Sequence, residues 1–207
     1  MKSNVTFAIL IIIGIVIAVL VLYLFPQKTE DATIFESDIM ETREMVELTL
    51  TSSAFEHNGS IPSVYSCDGE NVNPPLTISG VPEGTVTLAL IVDDPDIPDV
   101  VKKSRLTEKF DHWLVYNIPA KETEIDSPYG GKGTAGVNSI GERSYTGPCP
   151  PTEYEPTEHR YVFQLYALDS DMPLREGANE QDLRDVMKGH ILAKAELIGL
   201  FDRANKD

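Results

Sequence analysis

The chain has 207 residues, enough for one good domain plus an extension. It carries 33 acidic against 17 basic residues, a formal net charge of -16. That balance argues against nucleic acid and anionic lipid headgroups as broad-surface partners, while leaving room for a small anion in a local pocket. With 2 cysteines it is neither a disulfide-dense scaffold nor a cysteine-rich zinc module.

From Val5 to Phe25 the sequence is apolar apart from Thr6 and Gly14. At about 1.5 Å of rise per helical residue, this run crosses a hydrocarbon core of about 30 Å. It ends Tyr23-Leu24-Phe25-Pro26, which offers no small-x-small cleavage site. Residues 1–27 therefore read as a single-pass transmembrane helix, an uncleaved signal anchor. Lys2 and the N-terminal amine precede the run, and acidic residues dominate soon after Lys28. This predicts a cytoplasmic N-terminus and an extracytoplasmic domain. Residues 28–44, polar and acidic without periodicity, read as a tether.

The domain is expected over residues 45–207. Val46-Glu47-Leu48-Thr49-Leu50-Thr51 alternates as a half-buried strand does. Proline and glycine then punctuate the chain through Pro151, a pattern of short strands and turns that favours an antiparallel sandwich over βαβ units. The β-rich run Thr85 to Val92 stops at Asp93-Asp94-Pro95. A second run starts at His112-Trp113-Leu114-Val115-Tyr116, and a third extends from His159 to Tyr166. Between the first two, Asp99 to Asp111 carries Lys102, Lys103, Arg105 and Lys109. It reads either as a solvated loop or as a lid, a basic collar attracting anions. Asn179 is placed to cap a helix, with Leu183, Val186 and Met187 at helical spacing and Gly189 as its stop. Ile191 to Ile198 reads as the last strand.

If the first two runs are antiparallel neighbours, Asp94 and His112 meet at one rim of a sheet. His159 joins them if its strand runs parallel to the second. His159 and Tyr161 face one side, and Arg160 the other. A carboxylate beside an imidazole raises its pKa and fixes its tautomer, leaving N–H groups to receive phosphate or carboxylate. Gly147-Pro148-Cys149-Pro150-Pro151 is a stiff loop whose Gly147 and Cys149 amides can face an anion. Plainer readings stand beside these. Asp94 suits a turn, Asp96 a loop brace, His159 a core histidine, Tyr161 and Trp113 packing, and the proline loop a rigid connector. His57 and His190 have no comparable constellation.

Cys149 with His159 and Asp94 invites a cysteine-hydrolase reading, but no oxyanion-hole elbow accompanies it. Val137-Asn138-Ser139-Ile140-Gly141 is not G-x-S-x-G. A metal site from His112, His159 and Asp94 is not enforced by strand and loop positions, so no metal or other cofactor is assigned.

Seven motifs in order carry a resemblance. They are Tyr65-Ser66-Cys67-Asp68-Gly69, Asn73-Pro74-Pro75-Leu76, the Asp94-Pro95-Asp96-Ile97-Pro98 box, His112-Trp113, Tyr145 to Pro151, His159-Arg160-Tyr161 and Met187-Lys188-Gly189-His190. Together, from about Met45 to Phe201, they resemble the phosphatidylethanolamine-binding protein family, also called Raf kinase inhibitor-like, and most closely its bacterial and archaeal branch. The resemblance implies a mostly β, two-sheet sandwich, Greek-key-like, with one or two short C-terminal helices. It implies a small-anion pocket drawing on Asp94, Asp96, Pro98, His112, Gly147, Cys149, Pro150, His159 and Tyr161. It points to binding or inhibition rather than catalysis.

The expected function is thus binding of phosphate or a phospholipid headgroup, with modulation of a protein partner such as a kinase or protease. Inhibition of an extracytoplasmic serine protease is the first alternative. A hydrolase of unknown type using Cys149 and His159 is the second. The 99–111 segment is longer than its counterpart in many prokaryotic relatives, which bears on partner specificity. Cys67 and Cys149 both lie in motifs of the resemblance and outside the cytoplasm in this topology. A disulfide and two free thiols stand as nearly equal readings, because sequence gives no Cβ distance.

Overall fold

The computed structural model describes residues 47–127 and 129–203. The expected anchor over 1–27 and tether over 28–44 lie outside the described residues. Among the described residues no helix is long and apolar enough to cross a membrane.

Two sheets form the domain. The smaller joins β1 (Thr49–Ser52), β3 (Leu76–Ser79) and β6 (Glu124–Ile125) in the order β1-β3-β6. The larger has the order β2-β9-β8-β4-β5-β7. Its strands are β2 (Gly59–Ser60), β4 (Thr87–Asp94), β5 (Phe110–Pro119), β7 (Thr134–Ala135), β8 (Glu158–Leu168) and β9 (Ile191–Asp202). All pairings are antiparallel except the two-residue contact of β2 with β9, which is parallel and departs from the purely antiparallel expectation.

The uninterrupted apolar run of β4 follows from its position. It is buried at all 8 positions because both faces of the larger sheet are covered. Leu88, Leu90 and Val92 join Val115, Phe163 and Leu165 against Leu48, Leu50, Leu76 and Ile78 from the smaller sheet's side. Ala89 and Ile91 face the other way, onto a second core with Leu114, Tyr116, Tyr166, Leu183 and Met187. Leu183 and Met187 belong to α2 (Glu180–Met187), whose N-terminus is closed by Asn179 Oδ1 accepting the Asp182 amide at 2.9 Å. Gly189 turns the chain out of the helix at φ +84°, and β9 runs on to Asp202, four residues beyond the predicted end. Among the described residues, only this helix lies near the C-terminus.

The basic segment differs from its reading as an open loop. Asp99–Arg105 is a helix, α1, with Pro98 at its N-cap. Leu106 closes it at φ +55°, with the Thr107 amide bonded to the Lys102 carbonyl. Proline is preorganised for such a start, and a left-handed residue for such a stop. The helix shows no apolar period long enough to reveal it in the sequence.

One irregularity places the site. Val92 pairs with Trp113, but Asp93 pairs with Asp111, so β5 carries one extra residue, His112, across that step. This is a β-bulge, which re-aims side chains near a strand end. Through it His112 reaches the rim while Trp113 still enters the core between the sheets.

Candidate functional site

β4 ends where β5 and β8 begin, and both neighbours run antiparallel to β4. Asp94, Phe110, His112, His159 and Tyr161 consequently gather at one rim, around a cavity of about 360 Å³. Ile97 and Pro98, Val101, Ser104 and Arg105 of α1, Ile140, and the segment Thr146, Gly147 and Cys149 to Pro151 complete its wall.

Of the two imidazoles expected beside Asp94, it binds His159 and not His112. Its Oδ2 accepts the His159 Nδ1 proton at 2.7 Å, and its Oδ1 accepts the Asp96 amide at 2.8 Å. Both side chains of the pair are almost wholly buried. Burial alone would lower the His159 pKa, but the hydrogen bond and charge of Asp94 outweigh it and hold the imidazole above its ordinary value. His112 is oriented by backbone instead: its Nδ1 stands 2.6 Å from the Thr146 carbonyl. A carbonyl only accepts, so Nδ1 carries the proton. Burial lowers the His112 pKa and outweighs the Thr146 carbonyl and the more distant Asp94 charge. The two imidazoles of one cavity are therefore pushed in opposite directions. His112 also packs edge-on against Tyr161, with ring centres 5.1 Å apart.

Two polar atoms here lack partners. His159 Nε2 and Tyr161 Oη are buried without a hydrogen bond among the described residues. The Pro156 carbonyl lies near the His159 ring and the Cys149 amide near the Tyr161 hydroxyl, without a hydrogen bond to either open atom. Burial, with the Asp94 charge second, keeps the Tyr161 phenol protonated by driving its pKa far up.

The proline loop is a stapled wall. Cys149 is joined to Cys67 in a disulfide, Cα to Cα 5.5 Å, and the Cys67 amide bonds the Pro148 carbonyl. The two-thiol alternative is not what the structure contains, and the thiolate nucleophile of the hydrolase reading is absent with it. The Gly147 amide, expected to face an anion, is instead taken by Asn71 Oδ1 at 2.7 Å. A Cβ on Gly147 would stand 2.2 Å from the Tyr65 carbonyl oxygen, so the loop can approach its neighbour only as glycine.

Asp96 does not line the cavity. It accepts the amide, Nε and Nη2 of Arg160, pinning the 95–98 turn to β8. The Arg160 guanidinium holds the Asp96 carboxyl below its usual range against the opposing effect of burial. Of the expected basic collar, only Arg105 lines the cavity; its Nη1 donates to the Ser139 carbonyl and its guanidinium lies over Phe110. Lys109 points into the protein, 2.6 Å from Asp93 and 2.8 Å from Glu180, with Asp111 at 3.5 Å. Those three carboxylates could ligate a cation among themselves, and the ammonium already sits between them. Arg184 bonds Glu180 and the Tyr166 hydroxyl, tying α2 to the sheet. His57 and His190 lie elsewhere: His57 accepts the Ile198 amide and His190 pairs with Asp169 at the surface.

Sequence reasoning offered the 99–111 segment as a lid but did not single out Phe110, Val101 or Ile140 as wall residues. Phe110 precedes the apolar run it belongs to, and the other two depend on how loops fold over the rim.

The comparisons agree with this architecture. The family model described as phosphatidylethanolamine-binding protein matches residues 51–202. A UPF0098 protein of Methanothermobacter thermautotrophicus is 43% identical over 162 residues, covering 75% of this chain and 99% of its own. A crystallised phosphatidylethanolamine-binding protein homologue from Chlamydia trachomatis superposes with a TM-score of 0.70 at 38% identity, over 78% of this chain and 99% of its own. YbcL of E. coli gives 0.66 at 28% identity, over 75% and 98%. With a family model across most of its length and archaeal and bacterial relatives matched nearly end to end, the chain belongs to the phosphatidylethanolamine-binding protein family.

Proposed function

We propose that the domain binds a small phosphate-bearing ligand in the rim cavity, without turnover. The observation that carries this reading is the pair of buried, unpartnered polar atoms, His159 Nε2 and Tyr161 Oη, at a cavity already formed in the protein. Buried polar groups are almost always hydrogen-bonded, and a pair left open in a cavity suits a ligand that completes them. A charged His159 beside Arg105 favours an anion. The apolar surfaces of Ile97, Val101, Phe110 and Ile140 suit the ligand's organic part.

The proposal includes the setting. The Val5 to Phe25 run holds the domain at the extracytoplasmic face of a membrane, and the Cys67–Cys149 disulfide supports an oxidising compartment. Val100, Leu106 and Ile140 stand exposed on α1, at its end and on the facing loop, so ligand occupancy would alter a surface that a protein partner can read. Calorimetry of the full chain in nonionic detergent, with inorganic phosphate and phosphoethanolamine, tests the binding. Saturable heat is expected in wild type and is lost in His159→Ala. Absence of heat with either ligand, or wild-type heat in His159→Ala, refutes the proposal.

A further inference from the structure

We infer that Asn58 is the attachment site of an N-linked oligosaccharide, which shields the open edge of β9. The inference rests on the extracytoplasmic setting proposed above and not on the ligand.

Two Asn-x-Ser/Thr triplets occur in the chain, Asn4-Val5-Thr6 and Asn58-Gly59-Ser60, the first ahead of most of the apolar run and the second beyond it. A triplet of this kind, with no proline in the middle, is the acceptor sequence for sugar on surface loops of exported proteins. In the proposed topology only Asn58 lies outside the membrane.

Asn58 is exposed in a turn closed by the Gly59 amide on the Glu56 carbonyl at 2.8 Å. Its φ of +63° is left-handed, a conformation that asparagine tolerates, so the turn alone accounts for the asparagine. The turn does not account for Ser60. That residue is exposed as well, and among the described residues neither the Asn58 carboxamide nor the Ser60 hydroxyl has a hydrogen-bond partner. Gly59 and Ser60 meet the sheet through a two-residue ladder with Gly199 and Leu200, an edge contact short enough to open locally. Transfer from a polyisoprenyl phosphate carrier joins Asn58 Nδ2 to the anomeric carbon of the sugar. It breaks that carbon's bond to the carrier's phosphate oxygen and releases one carboxamide proton with the lipid phosphate.

The position gives the sugar a role. Ile198 and Leu200 turn their carbonyls away from β8, to the amides of Asn58 and Ile61. By alternation Lys194 and Glu196 face the same way, and on that side neither has a backbone partner among the described residues. Ile191 and Leu192, at the start of the strand, are exposed. An open edge of this kind is a template for pairing with another chain. At about 3.3 Å per residue, Glu196 and Lys194 stand about 7 and 13 Å along the strand from Ile198, within the span of a short oligosaccharide. A sugar on Asn58 therefore hinders that pairing.

The test takes the full chain from the membranes of its own cells. Peptide mass spectrometry is expected to find the Asn58 peptide heavier by an oligosaccharide and the Asn4 peptide unmodified. Made in the same cells, Asn58→Gln and Ser60→Ala each lose the increment, and Ser60→Thr keeps it. Ser60→Ala leaves Asn58 and its turn in place, so the loss there reports acceptor recognition. Light scattering in nonionic detergent is expected to show the two sugar-free variants forming larger species at concentrations where wild type does not. None of residues 56–60 lines the rim cavity, so these results are independent of phosphate binding. An unmodified Asn58 on a domain that protease reaches from outside whole cells overturns the inference and leaves the setting standing. A protected domain, or sugar on Asn4, overturns the setting with it. Unchanged particle size in both sugar-free variants overturns the shielding role.

Discussion

Replacing Asp94 by asparagine tests the centre of the site. The carboxylate accepts two protons, from His159 Nδ1 at 2.7 Å and from the Asp96 amide at 2.8 Å. Asparagine retains one carbonyl oxygen, so one of the two bonds must fail and an NH2 must face a donor. A hydrogen bond to a charged group contributes about 1.5–3 kcal/mol, and a buried donor left open adds about 1–3 kcal/mol. The expected loss is therefore about 2.5–6 kcal/mol at slightly acidic pH, a large fraction of the roughly 5–15 kcal/mol of an ordinary domain. It should appear as a lower urea midpoint at an unchanged slope. The pH dependence carries the sharper signature. His159 binds its proton more tightly in the folded protein than in the unfolded chain. That contribution is complete below the unfolded value of about 6.5 and is lost as pH rises through the raised folded value. Wild type should therefore lose stability relative to Asp94→Asn across that window, and the gap between them should narrow. A gap constant from pH 5 to 9, or a variant with the wild-type midpoint, would refute the pairing of Asp94 with a charged His159.

Three further perturbations address the parts around the dyad. Gly147→Ala forces a Cβ to within 2.2 Å of the Tyr65 carbonyl oxygen, and the resulting backbone shift should cost at least about 1–3 kcal/mol in thermal or urea unfolding. Reducing the Cys67–Cys149 bridge, whose ends are separated by 82 residues, should lower stability by up to about 4–5 kcal/mol in the chain-entropy account, measured as the difference between oxidised and reduced unfolding curves. Lys109→Met leaves Asp93, Asp111 and Glu180 with ligand atoms within 4.8 Å of one another and their shared ammonium gone. Removing one partner of such a buried cluster should cost about 3–5 kcal/mol, read from the urea midpoint.

Much of this molecule can be read from residues alone, and the failures have physical causes. The β4 run, the Asn179 cap and the Gly189 stop are local signals, so they survive folding unchanged. The two-residue period placed His159 and Tyr161 toward the cavity and Arg160 away from it, toward Asp96. Which imidazole receives Asp94 is not local. β4 has β5 on one side and β8 on the other, and the sequence ranks neither neighbour first. Lys109 was indistinguishable from the exposed lysines beside it, because its burial depends on carboxylates brought from β4 and α2. Asp96 belonged to the right motif but turned its charge outward to Arg160, a pairing visible only once β8 lies next to the 95–98 turn.

The extra residue in β5 also decides where negative charge is allowed to go. Counting back from Trp113 by strict alternation would put Asp111 on the cavity side and His112 among the carboxylates under α2. The bulge shifts the phase by one, so Phe110 and His112 reach the cavity while Asp111 stays with Lys109 on the opposite side. A single-residue deletion at this step would thus exchange an imidazole for a carboxylate in the cavity wall, turning a place that can welcome an anion into one that repels it. The length of β5 works here as a charge filter, set by how many residues the strand holds as much as by which ones.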